Sequence, residues 1–222
     1  VATDARLESA LRPRGPGGEI ELGARAVIDA SGDAAVAFLG HADWEIEPPA
    51  RLQCPSYIFR IEGVAADAIS GFERVRLTAA LAGATRTGAL PPLAESVVVR
   101  GCGAPGQVFV TLNLARPAGE SWRPLDRDCV AALEASARAG AEAIADFLRE
   151  SRPGFEASRI AEHPLRLGIR ETRRALGPVV LAADDVLNGV RRDDEVAVST
   201  WPIELWQSQK GASLSYPRAA CS

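Results

Sequence analysis

One short turn in this sequence has the residue types and the position needed to bind an anionic ligand. An apolar run over 26–28 stops at Asp29, and Ala30, Ser31, Gly32 and Asp33 follow before an alanine-rich helical pattern begins. A turn from a strand into a helix aims backbone amides at one point, where they can hold a negative group. Small residues also let a ligand lie against the backbone. The alternative is a helix cap provided by Ser31 or Asp33, and the residues alone favour that structural role.

The second candidate is the segment LGIRETRRALG, residues 167–177. Its four charged side chains fall within five residues and are Arg170, Glu171, Arg173 and Arg174. In a strand, Arg170, Thr172 and Arg174 share one face, whereas in a helix the three arginines converge. Either geometry gives a guanidinium cluster that can bind a carboxylate or steady an anionic ring. An internal ion-pair network is the equally weighted alternative, and both stay open at this point.

Residues 101–106, GCGAPG, match the dinucleotide-binding pattern G-x-G-x-x-G but not its structural setting. That motif turns from a strand into a helix whose amides face a pyrophosphate. The stretch after Gly106 is QVFVTLNL, which is strand-like, and Pro105 has no amide donor to offer. We therefore predict a glycine-rich hairpin turn here and no phosphate site.

The histidines and cysteines form no recognisable catalytic or metal-binding arrangement. His163 precedes a proline and is interpreted as a loop residue in preference to an acid or base. His41 follows the short helix, where it favours the helix dipole. The cysteines are scattered without a C-x-x-C pair at Cys54, Cys102, Cys129 and Cys221. We expect no metal site, and structural or free thiols in a reducing compartment, the cytoplasm.

Composition narrows the class of protein further. The 222 residues carry a net charge of −4, and 47% are hydrophobic and 24% charged, as in an ordinary soluble globular chain. This charge gives no basis for a nucleic-acid partner. No apolar run is long enough to predict a membrane span. The sequence contains no methionine, so we expect it to be a piece of something longer.

The periodicity of apolar residues and the turn signals predict the elements that must position these candidates. In chain order they are a β-hairpin feeding a strand over 1–33, a short helix over 34–40, a strand over 56–62, a weak helix over 72–83, a hairpin of 96–100 with 107–114, a long helix over 127–150 and a β-rich region over 165–181. A short acidic helix starts at Asp184-Asp185, and Pro48-Pro49 marks a boundary. The long helix is the clearest, because apolar residues recur at steps of three and four and Asp126 is placed to cap it.

Five segments, in this order, resemble those of the FAD-dependent oxidoreductase family. They are ARAVIDASGDAAVAFLGH, LQCPSYIFRIEGV, FLRESRPGFE, LGIRETRRALGPVVLAADDVLNG and WPIELW. The resemblance is to flavoproteins of the glutathione-reductase-like FAD fold that carry a GIRE(S/T)RR segment. It implies FAD as cofactor, with residues 30–33 lying against it and Ser31 replacing the family's threonine. It also implies Arg170 and Arg174 as catalytic residues near the flavin, where positive charge can stabilise a reduced flavin or orient a substrate acid.

The fold class that the resemblance implies is α/β combined with α+β. Part of a Rossmann-like FAD-binding domain, with a β-hairpin, a strand and a helix, occupies 1–49. A mainly antiparallel substrate domain with one long helix follows over 50–160, and 161–222 returns towards the FAD domain. The family's opening βαβ unit, with its pyrophosphate-binding G-x-G-x-x-G, and its glycine-rich C-terminal segment have no counterpart in this sequence.

We therefore expect a fragment of an enzyme that transfers hydride through FAD on an unidentified small molecule, without nucleic-acid or membrane partners. The alternative is a non-catalytic binding or interaction domain, or an inactive flavoprotein piece. A fragment of a parallel sheet exposes apolar surface and strand edges, so we also expect the chain to aggregate.

Overall fold

The computed structural model describes residues 9–11, 14–15, 17–19, 22–24, 26–117 and 122–218, and the chain divides into two compact units. Unit 1 comprises residues 1–45 with 173–176, and unit 2 comprises 46–172 with 177–222. The chain therefore passes from unit 2 into unit 1 and back again around the arginine-rich segment.

The described elements alternate short strands with four α-helices. In chain order they are β1 (Ser9–Leu11), β2 (Arg14–Gly15), β3 (Gly18–Glu19), β4 (Leu22–Ala24), α1 (Ala35–Leu39), β5 (Trp44–Glu45), β6 (Ser56–Glu62), α2 (Glu73–Arg86), a 3₁₀ helix (Pro92–Ser96), β7 (Val98–Gly101), β8 (Gln107–Asn113), α3 (Arg127–Ser151), β9 (Arg159–Glu162), β10 (Arg174–Ala175), α4 (Ala183–Asn188), β11 (Ile203–Ser208) and β12 (Gly211–Ser215).

Unit 1 is built from small antiparallel pairs and one short helix. Strand β1 pairs with β4, and β2 pairs with β3 inside it, which confirms the predicted N-terminal hairpin. The strand predicted to follow the hairpin within 1–33 is wrong for its last part, the apolar run over 26–28, since residues 26–30 form no strand. An apolar run becomes a strand only when another strand satisfies its backbone, and among the described residues none pairs with 26–30. The predicted helix over 34–40 is confirmed as α1.

Unit 2 holds the hydrophobic core beneath a four-stranded antiparallel sheet of order β7-β8-β6-β9. Strand β6 pairs with β8 along its whole length, from Ser56 opposite Asn113 to Glu62 opposite Gln107. The period of two in β6 places Tyr57, Phe59 and Ile61 in the core. The predicted hairpin of β7 and β8 is confirmed, and GCGAPG forms its turn with Gly103 and Gly106 at positive φ.

Helix α3 covers this sheet and matches its prediction closely. Its buried face is narrow and made of small and aliphatic residues, among them Ala137, Ala141, Ile144 and Leu148. The Asp126 carboxylate accepts hydrogen bonds from the amides of Asp128 at 3.0 Å and Cys129 at 3.1 Å, so the predicted N-cap is confirmed. Helices α2 and α4 also form where they were predicted.

The prediction of a β-rich region over 165–181 is largely wrong. Within it the structure contains a single bridge, between Gly168 and Ser56, and the two-residue strand β10. Residues of this segment instead make individual contacts with parts of the chain that are distant in sequence. Strand β9 and the hairpin of β11 with β12 were not predicted. The described architecture is a mixture of helices and antiparallel sheets.

Candidate functional site

The turn over 29–33 is held in shape by two of its own side chains. Asp29 accepts hydrogen bonds from the amides of Ser31 and Ala37, at 3.0 and 2.9 Å. The Ser31 hydroxyl accepts from the amides of Asp33 and Ala35, at 3.3 and 2.9 Å. The N-cap position predicted for Ser31 or Asp33 is occupied by Ala34, and Ser31 instead reaches the first amide of α1 from three residues before that position. Asp29 was not predicted to take part, although an Asx turn is a known signal for an aspartate two residues before a bend.

These hydrogen bonds keep Asp29 ionised. The Ala37 amide, followed by the Ser31 hydroxyl and amide, lowers the pKa of Asp29 from 3.8 to about 2. The N-terminal turn of α1 thus already faces a fixed negative charge from the chain itself. A diphosphate placed against these amides would meet that charge, so this turn suits a neutral part of a ligand better than an anionic part.

Three residues of the turn are open to solvent. Ala30, Ser31 and Gly32 are exposed, and Gly32 has φ +77° with no atom within 4 Å of the position that a Cβ would occupy. Among the described residues, no acceptor pairs with the amides of Gly32 and Ala34. An open surface of small residues with free amides fits the flat, uncharged ring system of a flavin. The residues present therefore fit FAD at this turn through its ring rather than its diphosphate.

Arg173 connects the turn to the rest of unit 1. Its Nε donates to the carbonyl oxygen of Asp33 at 3.0 Å. The guanidinium carbon lies 4.3 Å from the ring centre of Phe38 and 5.9 Å from that of Trp44. These two rings contact each other edge to face, with their centres 5.7 Å apart. The sequence places Arg173 in the charged segment but predicts no role for it, because no signal close in sequence links it to Asp33.

Arg174 lies on the surface of unit 1. Its guanidinium is 3.0 Å from the Glu45 carboxylate, and the same two residues are opposite each other where β10 pairs with β5. The side chain is 49% exposed, so it is accessible to a ligand in solution. The ion pair that was one of the two alternatives for this segment is therefore present at Arg174.

Arg170 has a different environment, inside unit 2. Its guanidinium donates to the carbonyl oxygen of Cys54 and, at 3.0 Å, to Oδ1 of the buried Asn113. It also lies 4.6 Å from the ring centre of Trp206. Burial lowers the pKa of Arg170 from its usual value, without removing its charge at neutral pH. The three arginines thus belong to no common strand face or helix face, and both predicted geometries are wrong.

Two further predictions concern His163 and the GCGAPG turn. His163 follows β9 in a loop, as predicted, but its Nδ1 lies 2.9 Å from the Tyr57 hydroxyl and its Nε2 lies 3.1 Å from Glu142.

The glycine-rich turn borders a cavity of about 310 Å³ lined by small and apolar residues such as Val64 and Ile69. The described residues that line it include no arginine or lysine.

The described part of the chain offers no group of three or more His, Cys, Asp or Glu side chains arranged to hold a metal ion. Cys54 and Cys102 are free thiols, and Cys221 lies outside the described residues. No helix in the described ranges combines the length and apolar character that crossing a membrane requires.

Fold and site together define a mixed helix and antiparallel-sheet protein whose candidate ligand site is an exposed glycine turn fixed by its own side chains. The chain belongs to the FAD dependent oxidoreductase family, whose model matches residues 2–220. Searches among curated proteins and solved structures found no match. Membership of an FAD-dependent family confirms FAD as the predicted cofactor and indicates a flavin-linked redox function.

Proposed function

We propose that this protein is an oxidoreductase of the glutathione-reductase-like FAD fold that transfers hydride through FAD on a small-molecule substrate. The observation that carries the proposal is the family match over residues 2–220, combined with an open turn that fits a flavin ring. FAD supplies the two-electron chemistry when bound. We further propose that residues 1–49 belong to a Rossmann-like FAD domain, 50–160 to the substrate domain and 161–222 to the return towards FAD.

The proposed cofactor contact is the turn of Ala30, Ser31, Gly32 and Asp33. Asp29 and Ser31 hold its backbone rigid before any ligand arrives, so little entropy is lost when the ligand binds. Gly32 leaves its outer surface flat, and the amides of Gly32 and Ala34 are free to donate hydrogen bonds. The charge of Asp29 keeps the diphosphate away from this turn, which orients the ring towards it.

Arg170 and Arg174 are the proposed catalytic cations. Arg174 is accessible and carries its charge beside Glu45, so an acidic substrate group could exchange with that carboxylate. Arg170 is held in one orientation by two oxygen acceptors and supplies a fixed positive charge. The free thiols of Cys54 and Cys102 support a reducing compartment, and we propose the cytoplasm.

The turn is tested by comparing two glycines with similar backbone conformations and open surroundings, one in the proposed site and one in the β7–β8 turn. Gly32 and Gly103 have φ of +77° and +86°, and an added Cβ meets no atom within 4 Å at either position. Gly32→Ala and Gly103→Ala therefore carry a similar backbone penalty, about 1–2 kcal/mol. We expect only Gly32→Ala to weaken FAD binding, about tenfold, when the full chain is titrated with FAD and flavin fluorescence is followed.

Ala30→Leu adds bulk to the same surface without removing a hydrogen bond seen in the structure, and it should also weaken binding. Equal affinities in wild type, Gly32→Ala and Ala30→Leu would show that this turn does not contact FAD. A wild-type chain that gains no flavin absorbance after incubation with FAD and desalting would rule out cofactor binding by these 222 residues.

The catalytic assignment of the arginines needs turnover and stability measured together. Arg174→Ala should reduce turnover with little change in melting temperature, because the side chain is on the surface. Arg170→Ala should reduce both. Unchanged turnover in the two variants, with a lower melting temperature for Arg170→Ala alone, would assign both arginines structural roles, Arg174 through its ion pair and Arg170 through its hydrogen bonds.

A further inference from the structure

Arg173 is placed to control the shape of the flavin-facing turn. It reaches the last residue of the turn through Nε, which donates to the Asp33 carbonyl oxygen at 3.0 Å. Its guanidinium also lies against Phe38 of α1 and near Trp44 of β5. A planar guanidinium can donate within its plane while its face covers an aromatic ring, and a lysine ammonium cannot do both.

The carbonyl that Arg173 binds belongs to a strained part of the backbone. Ala34, directly after it, has φ 48° and ψ 39°, a left-handed conformation that is unfavourable for a residue with a Cβ. Such a conformation persists only where the surroundings hold it in place. The hydrogen bond from Arg173 fixes the peptide plane on one side of Ala34, and the hydrogen bond from the Ala35 amide to Ser31 fixes the other.

The same hydrogen bond determines which polar groups face a ligand. In a planar trans peptide the carbonyl of Asp33 and the amide of Ala34 point in opposite directions. Because the carbonyl faces Arg173, the Ala34 amide faces away from it, and no acceptor among the described residues takes that proton. Without Arg173 this peptide can rotate and present a carbonyl oxygen in place of the amide.

We propose that Arg173 is a positioning residue for FAD, which holds the Asp33–Ala34 peptide so that its amide, and not its carbonyl oxygen, faces the ring. This inference rests on the proposed role of the turn. Arg173 itself does not touch the cofactor in this arrangement and acts through the backbone of the turn. It is a different residue from the proposed catalytic cations Arg170 and Arg174.

The test uses the full chain and three variants whose FAD affinity is measured by flavin fluorescence. Arg173→Ala should weaken FAD binding about tenfold or more. Arg173→Lys keeps the charge but not the combination of in-plane donor and ring contact, so it should restore only part of that loss. Arg76→Lys is the matched control, because Arg76 is an exposed arginine paired with Glu73, and its affinity should equal that of wild type.

The absorption spectrum of the bound flavin separates positioning from general destabilisation. We expect the spectrum of bound FAD to shift in Arg173→Lys at saturating FAD, because the hydrogen-bond donors at the ring change. If Gly32→Ala weakens binding but both Arg173 variants bind FAD with the wild-type affinity and spectrum, this inference is overturned and the flavin-facing turn stands. If Gly32→Ala and Ala30→Leu also have no effect, the proposed function of the turn fails, and the inference fails with it.

Discussion

Asp29 illustrates how a single side chain fixes the candidate site before a ligand is present. Its carboxylate accepts from the amides of Ser31 and Ala37, and this lowers its pKa to about 2. Because the pKa is lower in the folded chain than in the unfolded chain, the stabilisation is complete above pH 3.8 and is lost as the pH falls through 2. Asp29→Asn should therefore reduce the protection of the Ala37 amide against hydrogen exchange at pH 6.

The same experiment predicts a pH dependence. In wild type the protection factor of the Ala37 amide should fall between pH 4 and pH 2, whereas in Asp29→Asn it should already be low and change little. Asp67→Asn is the control, since Asp67 is an exposed acidic residue whose carboxylate makes no hydrogen bond seen in the described structure. Equal protection in wild type and Asp29→Asn at pH 6 would contradict the hydrogen bond from the Ala37 amide to the Asp29 carboxylate.

Arg170 is the residue whose removal should cost the most stability among the arginines of its segment. Arg170→Ala leaves the Cys54 carbonyl and Oδ1 of the buried Asn113 without their donor, a loss of about 2 kcal/mol. Arg149→Ala removes an exposed partner of Asp146 and should cost less than about 1 kcal/mol. Urea unfolding of both variants measures the difference. Equal small losses would show that the Arg170 contacts contribute little.

At the scale of elements, two helical glycines should respond to alanine in opposite directions. A Cβ on Gly140 of α3 would lie 2.5–3.0 Å from three carbons of Leu93, which packs against the core. A Cβ on Gly83 of α2 would meet only the end of Arg86, at 3.8 Å. Replacing glycine by alanine inside a helix stabilises the helix by about 1 kcal/mol. Forcing an extra methyl group into a packed region destabilises the folded protein by about 1–3 kcal/mol.

We therefore expect Gly83→Ala to raise the melting temperature and Gly140→Ala to lower it, as measured by circular dichroism at 222 nm. A stabilised Gly140→Ala variant would mean that Leu93 moves aside at no cost. In that case the close approach of α3 to the 3₁₀ helix is not fixed by this contact.

The elements that could be predicted are those whose signals are local. Helix α3 carries its periodicity and its Asp126 cap within 26 residues, and the β7–β8 hairpin carries its glycine turn between two apolar runs. Contacts between distant residues could not be predicted in this way. The partner of Arg173 is 140 positions away and that of Arg170 is 116 positions away. Residues 26–28 have strand character, but no local signal shows whether a neighbouring strand is present.

At the scale of the whole molecule, apolar exposure is high. Ile28 is 90% exposed, and Leu165 and Val196 are fully exposed. Exposed apolar surface of this kind promotes self-association. We expect the isolated chain to bind the dye ANS and to scatter light increasingly with concentration. Monodisperse behaviour across the accessible concentration range, without ANS binding, would contradict the aggregation prediction.

The core also belongs to one unit only. Its buried residues, Tyr57, Ile144 and Leu167 among them, all lie in unit 2, whereas no residue over 26–45 or 173–176 of unit 1 is buried. Regions with few buried apolar contacts open at lower free energy than the core. Unit 1 should therefore unfold at a lower urea concentration than unit 2.

Fluorotryptophan NMR can follow the two units separately, because Trp44 is in unit 1 and the buried Trp122 is in unit 2. The Trp44 resonance, assigned with Trp44→Phe, should change before that of Trp122 as urea is added. FAD that binds the turn of unit 1 should raise the Trp44 midpoint, since a ligand at one hundred times its Kd stabilises the folded form by about 2.7 kcal/mol. The Gly32→Ala variant should show a smaller rise, and Gly103→Ala the full one. Coincident midpoints for Trp44 and Trp122 would show that the two units unfold as one, and a rise equal in both glycine variants would place FAD away from the turn.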